Sequence, residues 1–448
     1  MVLPVRAKKI VLASVVVVTL LSLVNYHQIV HFAETTLPHR LPEPFTHNHI
    51  FYEPSGGWLV GPAAACPQSW IPGIWVSKWQ RQHNGGVLPM TEEAQQEVFH
   101  AMNPAGCAGD IKFLVHRVEP QGFAAAIHEL GVALQLALDS GRVLVEAPGS
   151  PHAEGVPECG ALRNTLDSCY LLPFSSCRPS EADIIAALKS TQAQPQGVTV
   201  PGEPRIVFTN KAMVEAARHR APKMFEERLQ QTAVDHQKHR YWWRAQAAAY
   251  LLRPNMGTLA GLGKRRMQEL RGPEPEPGCI TVVARSGKGG DGAAASGFKD
   301  ADFDSRAAQM RALDPTRFTD HIFLSASSGR TLSYFVNGTG AAPDAGAHRW
   351  HTGYVAGSKH FGGGINLRPR KNGGGRDLDA VPKDAVYESM LNTLLELDMA
   401  LDCSGFVGSI DSHWVRLIDE MRSVVRCSAD APYMDVGYDD PREMSLHW

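Results

Sequence analysis

The turn GSIDSHWVR at 408–416 carries residues whose types and spacing suit ligand chemistry. Ser409 and Ser412 offer two hydroxyls just ahead of a helical pattern, and a helix start binds phosphate through its free N–H groups and such hydroxyls. Ser412 reads equally well as the N-cap of the helix that begins at His413. Asp411, lying between them, repels phosphate unless it faces another part of a ligand. Arg416 sits one turn into the same helix. His128 stands alone in a second helical pattern, where a satisfied packing role competes with a site role. Gly122 opens that pattern; a turn, freedom of φ or close approach of a ligand would each use glycine there. The chain has no GxSxG, no Walker-type phosphate loop and no HExxH, which removes the commonest hydrolase, kinase and metalloprotease readings.

These residues need strands and helices to hold them. IKFLVHRV, from 111, is an apolar, β-branched strand pattern broken by Pro120-Gln121-Gly122. In the next stretch Phe123, Ile127, Leu130, Leu134 and Leu138 form one helical stripe that stops at Asp139-Ser140-Gly141, and RVLVEA follows as a strand. Strand, helix and strand in so short a span predict a βαβ unit. CITVVA (279–284) and HIFLSA (321–326) are further strands, 385–402 is helical, and SGFVGS leads into the helix HWVRLIDEMRSVV. YWWRAQAAAYLLRPN (241–255) reads as an amphipathic helix with Trp243, Ala247 and Tyr250 or Leu251 in one stripe, ended by Pro254. The low-complexity segments GKGGDGAAASG (287–297) and the Gly-rich run at 361–375 read as loops. Two strand–helix halves around the linker GPEPEPG predict two facing α/β lobes with a ligand cleft between them.

The 448 residues are 44% hydrophobic, enough for sizeable cores, and a net charge of −2 gives no bulk attraction to nucleic acid. Arg6, Lys8 and Lys9 precede an apolar run at 10–24. No small-x-small cleavage site follows, so an uncleaved signal anchor is favoured over a cleaved signal peptide. The expected organisation is a cytosolic tail (1–9), signal anchor (10–27), stem (28–65), N-terminal α/β lobe with a helical segment (66–272), C-terminal lobe (273–430) and tail (431–448). This is a single-pass type II protein attached to the membrane by its anchor, with a secreted form as the alternative. Eight cysteines, none in paired C-x-x-C zinc spacing, allow up to four disulfides in a luminal compartment. The one sequon, Asn337-Gly-Thr339, is a candidate glycosylation site.

Six segments, in order, resemble the α-1,6-fucosyltransferases and the related nodulation fucosyltransferases: GFAAAIHELGVALQLALDSGRVLV, TLDSCYLLPFSSC, YWWRAQAAAYLLRPN, CITVVARSGKGGD, HIFLSASS and SGFVGSIDSHWVRLIDEMR. The resemblance covers about 110 to 425. It implies a GT-B-like fold of two Rossmann-type lobes and inverting transfer of fucose from GDP-fucose, without a metal or other cofactor, to a glycan or glycoprotein. It also implies a Golgi membrane location with the catalytic part luminal. On this resemblance Arg285 is the main diphosphate contact and Lys288 a second cation. Asp291, the nearest acid, is the candidate base. Glu396, Ser409, Asp411, Ser412 and Arg416 line the donor pocket, and Gly122 and His128 the acceptor or cleft side. Glu396 reads equally as an ordinary surface helix glutamate. The chain departs from the family at Val283 and Ser286, where a His and a second Arg are expected, and at Ser327-Ser328, where an acidic pair is expected. Those departures leave two other readings open: a different nucleotide-sugar donor, or a luminal pseudoenzyme that binds glycans or a partner.

Overall fold

The computed structural model describes residues 64–65, 86–107, 110–153, 156–159, 164–193, 204–232, 234, 236–284, 298–326, 328–337, 350–356, 383–426, 428–429 and 431–437. The expected tail, signal anchor and stem (apart from Ala64–Ala65) and both low-complexity segments lie outside them. Among the described residues no helix is long and apolar enough to cross a membrane.

The expected α/β architecture is present, with two mainly parallel sheets. A short antiparallel pair, β1 (Ala64–Ala65) and β2 (Gly86–Val87), precedes α1 (Thr91–Met102). The first sheet has the order β4-β3-β5, all parallel, from β3 (Phe113–His116), β4 (Val143–Glu146) and β5 (Ile206–Phe208). The runs FLVH and VLVE are buried along their whole length, as parallel strands covered on both faces require. Leu114 and Leu144 meet Phe123, Ile127, Leu130 and Leu134 of α2 (Phe123–Asp139), the predicted stripe. Phe113, Val115, Val143 and Val145 face the other way, towards Ile184 of α4 (Glu181–Ala193); the short α3 (Leu166–Cys169) lies between.

The second sheet has the order β11-β10-β7-β8-β9-β6. Its strands are β6 (Leu270–Arg271), β7 (Ile280–Ala284), β8 (His321–Ala326), β9 (His351–Val355), β10 (Gly405–Gly408) and β11 (Tyr433–Asp435), all parallel except β6, which pairs antiparallel with β9. Alternate side chains separate its two faces. Ile280, Val282, Ala284, Ile322 and Leu324 pack on Phe303, Ala307 and Met310 of α9 (Asp300–Leu313) and Phe335 of α10 (Gly329–Asn337). Val283, Phe323 and Phe406 join the main core with Leu394 and Leu397 of α11 (Lys383–Ala400) and Trp414 of α12 (His413–Val425). Two boundaries need correction. Tyr433–Asp435, expected in the tail, is an edge strand, and Leu270–Arg271, expected in the first lobe, joins the second sheet. Strands of two or three residues carry too little alternation to be read from sequence.

Between the sheets run α5 (Lys211–Ala217), α6 (Lys223–Leu229), α7 (His239–Leu251) and α8 (Met256–Glu269). The double-tryptophan segment is α7. Contrary to the amphipathic expectation, every residue from 239 to 251 is buried except the half-buried Arg240. Its polar residues find partners instead of water: Gln246 bonds Gln95 and Thr91 of α1, and Tyr241 donates to Asp419 of α12 at 3.1 Å. Trp242 and Trp243 donate to the carbonyls of Pro89 and Gly131. Because α12 follows β10 directly yet packs on α7 and α2, it ties the second sheet to the helices of the first. Disulfides join Cys107 to Cys177, Cys159 to Cys169 and Cys279 to Cys403.

Candidate functional site

In the second sheet the chain runs β7, β8, β9 outwards, then returns to place β10 and β11 on the other side of β7. The strand order therefore reverses between β7 and β10. In such sheets the ligand crevice opens at the carboxyl ends of the strands flanking that reversal. The register Val407↔Val282 sets Ser409 beside Ala284, the last residue of β7.

Gly408 ends β10. A Cβ there would meet both Val415 methyl groups at 2.9 Å, so glycine lets α12 approach closely. Asp435, at the end of β11, clamps the turn by accepting from the N–H groups of Ile410 (2.7 Å) and Gly437 (2.6 Å) and from the Tyr433 hydroxyl. Ser412 occupies the N-cap position of α12, but its side chain makes no capping hydrogen bond. The hydroxyl oxygens of Ser409 and Ser412 are both buried without a partner. The turn is thus pinned by Asp435, while two hydroxyls at the start of a thirteen-residue helix make no hydrogen bond within the protein.

The next turns of α12 carry an excess of positive charge. Glu420 is 0% exposed and accepts from Arg244 Nε at 2.6 Å. Burial alone would raise its pKa; the charge of Arg244 foremost, then His128 beside it and Arg416, outweigh that and hold it well below the usual carboxylate range. Burial, then mutual repulsion with Arg244, lowers the pKa of Arg416 to about 9 and that of Arg240 to about 10. Three guanidinium groups therefore share one buried carboxylate. Arg244 Nη2, Arg416 Nε and Arg240 Nε are buried without partners, although Arg416 Nη1 donates to the Ile410 carbonyl at 2.6 Å. Such an arrangement, offset in part by Glu215 and Asp411, can attract an anion.

His413, the first residue of α12, lies 2.8 Å from His128 through the Nδ1 atoms of both rings, and His128 Nε2 lies 2.8 Å from Glu420 Oε2. Burial lowers the pKa of both histidines; the neighbouring arginines lower it further, and for His128 Glu420 offsets part of the effect.

Of the expected site residues, Ser409, Asp411, Ser412, Arg416 and His128 come together around the start of α12; Asp411 is half-buried. Arg285, Lys288 and Asp291 lie outside the described residues, beyond the end of β7. Glu396 is in α11, 1% exposed, accepting from the Ser325 hydroxyl, which itself accepts from Trp414 Nε1. It is a core residue and not a surface glutamate. Gly122 precedes α2 at φ −61°, a conformation open to any residue, so φ freedom is not why glycine stands there. Asn337, exposed, ends α10. Sequence reasoning missed Arg240, Arg244, His413 and Glu420, although 240/244 and 413/416/420 have the spacing of one helix face. Among the described residues no three His, Cys, Asp or Glu side chains are grouped to hold a metal ion.

The first sheet also ends in buried polar groups. Glu146, closing β4, accepts from Leu166 N–H at 2.9 Å, and burial, then the nearby Asp167, raises its pKa to about 8. Beside it His116, closing β3, is kept neutral by burial, with its pKa lowered to about 4.

No protein-family model matches the chain, and no curated protein matches it. Solved structures do. NodZ α-1,6-fucosyltransferase soaked with GDP-fucose is 11% identical over 69% of this chain and 92% of that one, with a TM-score of 0.37. Fucosyltransferase NodZ from Bradyrhizobium is 12% identical over the same shares, with a TM-score of 0.35. A mutant of Arabidopsis thaliana FUT1 in complex with GDP is 10% identical over 78% of this chain and 81% of that one, with a TM-score of 0.36.

Proposed function

We propose that this chain is a glycosyltransferase of GT-B layout that takes a nucleotide sugar, GDP-fucose foremost, and transfers the sugar with inversion to a glycan or glycoprotein. The observation that carries the reading is the unspent donor set at the strand-order reversal: the Ser409 and Ser412 hydroxyls at the start of α12 and the unpartnered arginine N–H groups behind them. As a glycosidic bond to a nucleoside diphosphate breaks, negative charge grows on the leaving phosphate. Fixed donors at that point stabilise the transition state more than the ground state. Arg285 and Lys288, which follow β7, would add two cations. Asp291 is the proposed base, and the mechanism needs no divalent ion. The identity of the sugar rests on the six ordered segments. The three disulfides among the described residues suit an oxidising compartment and, with the proposed anchor, support a catalytic part in the Golgi lumen, with the exposed Asn337 available for glycosylation.

A second reading, a donor other than GDP-fucose, is favoured by Glu396. It is engaged with Ser325 inside the core, so the carboxylate expected to hold guanine or ribose is committed elsewhere. A screen of sugar nucleotides and glycan acceptors with linkage analysis of the products tests both readings. Transfer of fucose from GDP-fucose in the presence of EDTA supports the first, and transfer from another donor alone supports the second. Loss of all transfer on chelation contradicts the metal-free mechanism. Absence of transfer and of nucleotide binding contradicts both.

A further inference from the structure

The contacts of Glu420, His128 and His413 fix where each proton lies. Glu420 is an ionised carboxylate, and its Oε1 already accepts from Arg244 Nε. It has no proton to give, so His128 Nε2, 2.8 Å from Oε2, must carry the N–H. A neutral imidazole carries only one, which leaves His128 Nδ1 bare. That atom lies 2.8 Å from His413 Nδ1, so His413 must donate there and its own Nε2 is left as a lone pair. Nε2 of His413 meets no hydrogen-bonding partner among the described residues, and the ring is half-buried at the mouth of α12. The charged groups that act on it are Arg416 from α12, Arg244 from α7 and Arg218 beyond α5; Arg240, Asp411 and Glu420 act in turn on Arg416. Burial and these cations make His413 far too weak a base to take a proton from a hydroxyl near neutral pH. What remains is a neutral acceptor locked in place.

Most other side chains at the start of α12 can donate, as suits phosphate; among the described residues there, His413 Nε2 is a side-chain acceptor that carries neither a negative charge, as Asp411 does, nor a proton of its own, as the serine hydroxyls do. The phosphates of a nucleotide sugar are flanked by hydroxyls of ribose and of the transferred sugar. We infer that His413 Nε2 accepts a hydrogen bond from a carbohydrate hydroxyl of the bound ligand, and that Glu420 and His128 are positioning residues that fix the tautomer presenting it. The inference rests on reading the start of α12 as the phosphate end of a nucleotide-sugar site.

Glu420→Gln supplies a discriminating test. Arg244 Nε–H still needs an oxygen, so the amide introduced at position 420 turns its NH₂ towards His128 Nε2, which must now accept. His128 Nδ1–H then donates to His413 Nδ1, and His413 Nε2 gains the proton. Long-range ¹⁵N–¹H correlation spectra of the full-length chain, labelled in histidine, read both tautomers, with His413 assigned by the loss of its signals in His413→Phe. Wild type is expected to show Nδ1–H on His413 and Nε2–H on His128, and Glu420→Gln the reverse. Calorimetric titrations use GDP, 2′-deoxy-GDP, 3′-deoxy-GDP and GDP-fucose. Glu420→Gln and His413→Phe should each bind the hydroxyl-bearing ligand roughly three- to tenfold more weakly than wild type, the scale of one neutral hydrogen bond. Weakening confined to GDP-fucose assigns a hydroxyl of the transferred sugar. Equal weakening of GDP and GDP-fucose, with one deoxy analogue unaffected, assigns that ribose hydroxyl. If Glu420→Gln does not fold, the wild-type spectra and His413→Phe, which leaves the Arg244–Glu420–His128 contacts in place, carry the test. Nε2–H on His413 in wild type overturns the inference. So do GDP and GDP-fucose affinities that His413→Phe leaves unchanged, while the functional reading survives that result. Failure of wild type to bind either nucleotide overturns both.

Discussion

Replacing Arg244 with Met removes one partner of a pair in which Glu420 is 0% and Arg244 8% exposed, joined at 2.6 Å. Breaking a buried pair from one side costs about 3–5 kcal/mol, because the remaining charge stays in a low-dielectric site without its counter-ion. Here Glu420 keeps the His128 N–H at 2.8 Å and the field of Arg416, which puts the expected cost near the lower end, about 3 kcal/mol. The double variant Arg244→Met/Glu420→Met removes both charges and refills the space with apolar side chains. It should therefore cost less than the sum of the two single variants, by about 1–3 kcal/mol of coupling. Guanidinium denaturation of the oxidised protein, followed by tryptophan fluorescence, measures this where it matters, since Trp242, Trp243 and Trp414 are buried in α7 and α12 around the pair. A loss below about 1 kcal/mol for Arg244→Met, or strictly additive single variants, would refute the claim that this pair holds α12 to α7.

Three further outcomes follow from the same structure. Gly408→Ala brings a Cβ to 2.9 Å from both Val415 methyls and should cost about 1–3 kcal/mol; Gly408→Ala/Val415→Ala should recover most of it in thermal melts. Glu146 has its pKa raised from 4.5 to about 8, so the folded chain holds a proton that the unfolded chain releases. Its contribution to stability is full below pH 4.5 and is lost as the pH rises through about 8; the fall in melting temperature across that window should be shallower in Glu146→Gln. The Cys279–Cys403 bridge closes 124 residues and links the base of β7 to the turn before β10, so replacing both cysteines with serine should cost about 2–5 kcal/mol in denaturant midpoints.

What could be read from the chain beforehand was what repeats locally. CITVVA, HIFLSA and the βαβ unit at 111–146 show apolar runs or helical stripes long enough to identify, and they became β7, β8 and β3-α2-β4. β6 and β11 are two and three residues long, and β9 (HTGYV) contains a glycine and an exposed end, so no period marks them. The misreading of α7 has a related cause. Arg244 and Gln246 look like a solvent face, but their partners lie 176 and 151 residues away, where local spacing gives no sign of them. The turn at Ser409–Ser412 was legible because a helix start needs only neighbouring residues. The histidine pair behind it spans 285 residues and emerged only once α2 and α12 were seen in contact.

Calorimetric titration of GDP into the full-length chain and its Ser409→Ala/Ser412→Ala form tests the central claim most directly. The account predicts saturable binding by wild type, and affinity at least roughly tenfold weaker in the double variant, whose melting temperature should be little changed because neither hydroxyl has a partner within the protein. Absence of binding by wild type, or equal affinity in the two proteins, would contradict the assignment of this turn as the diphosphate site.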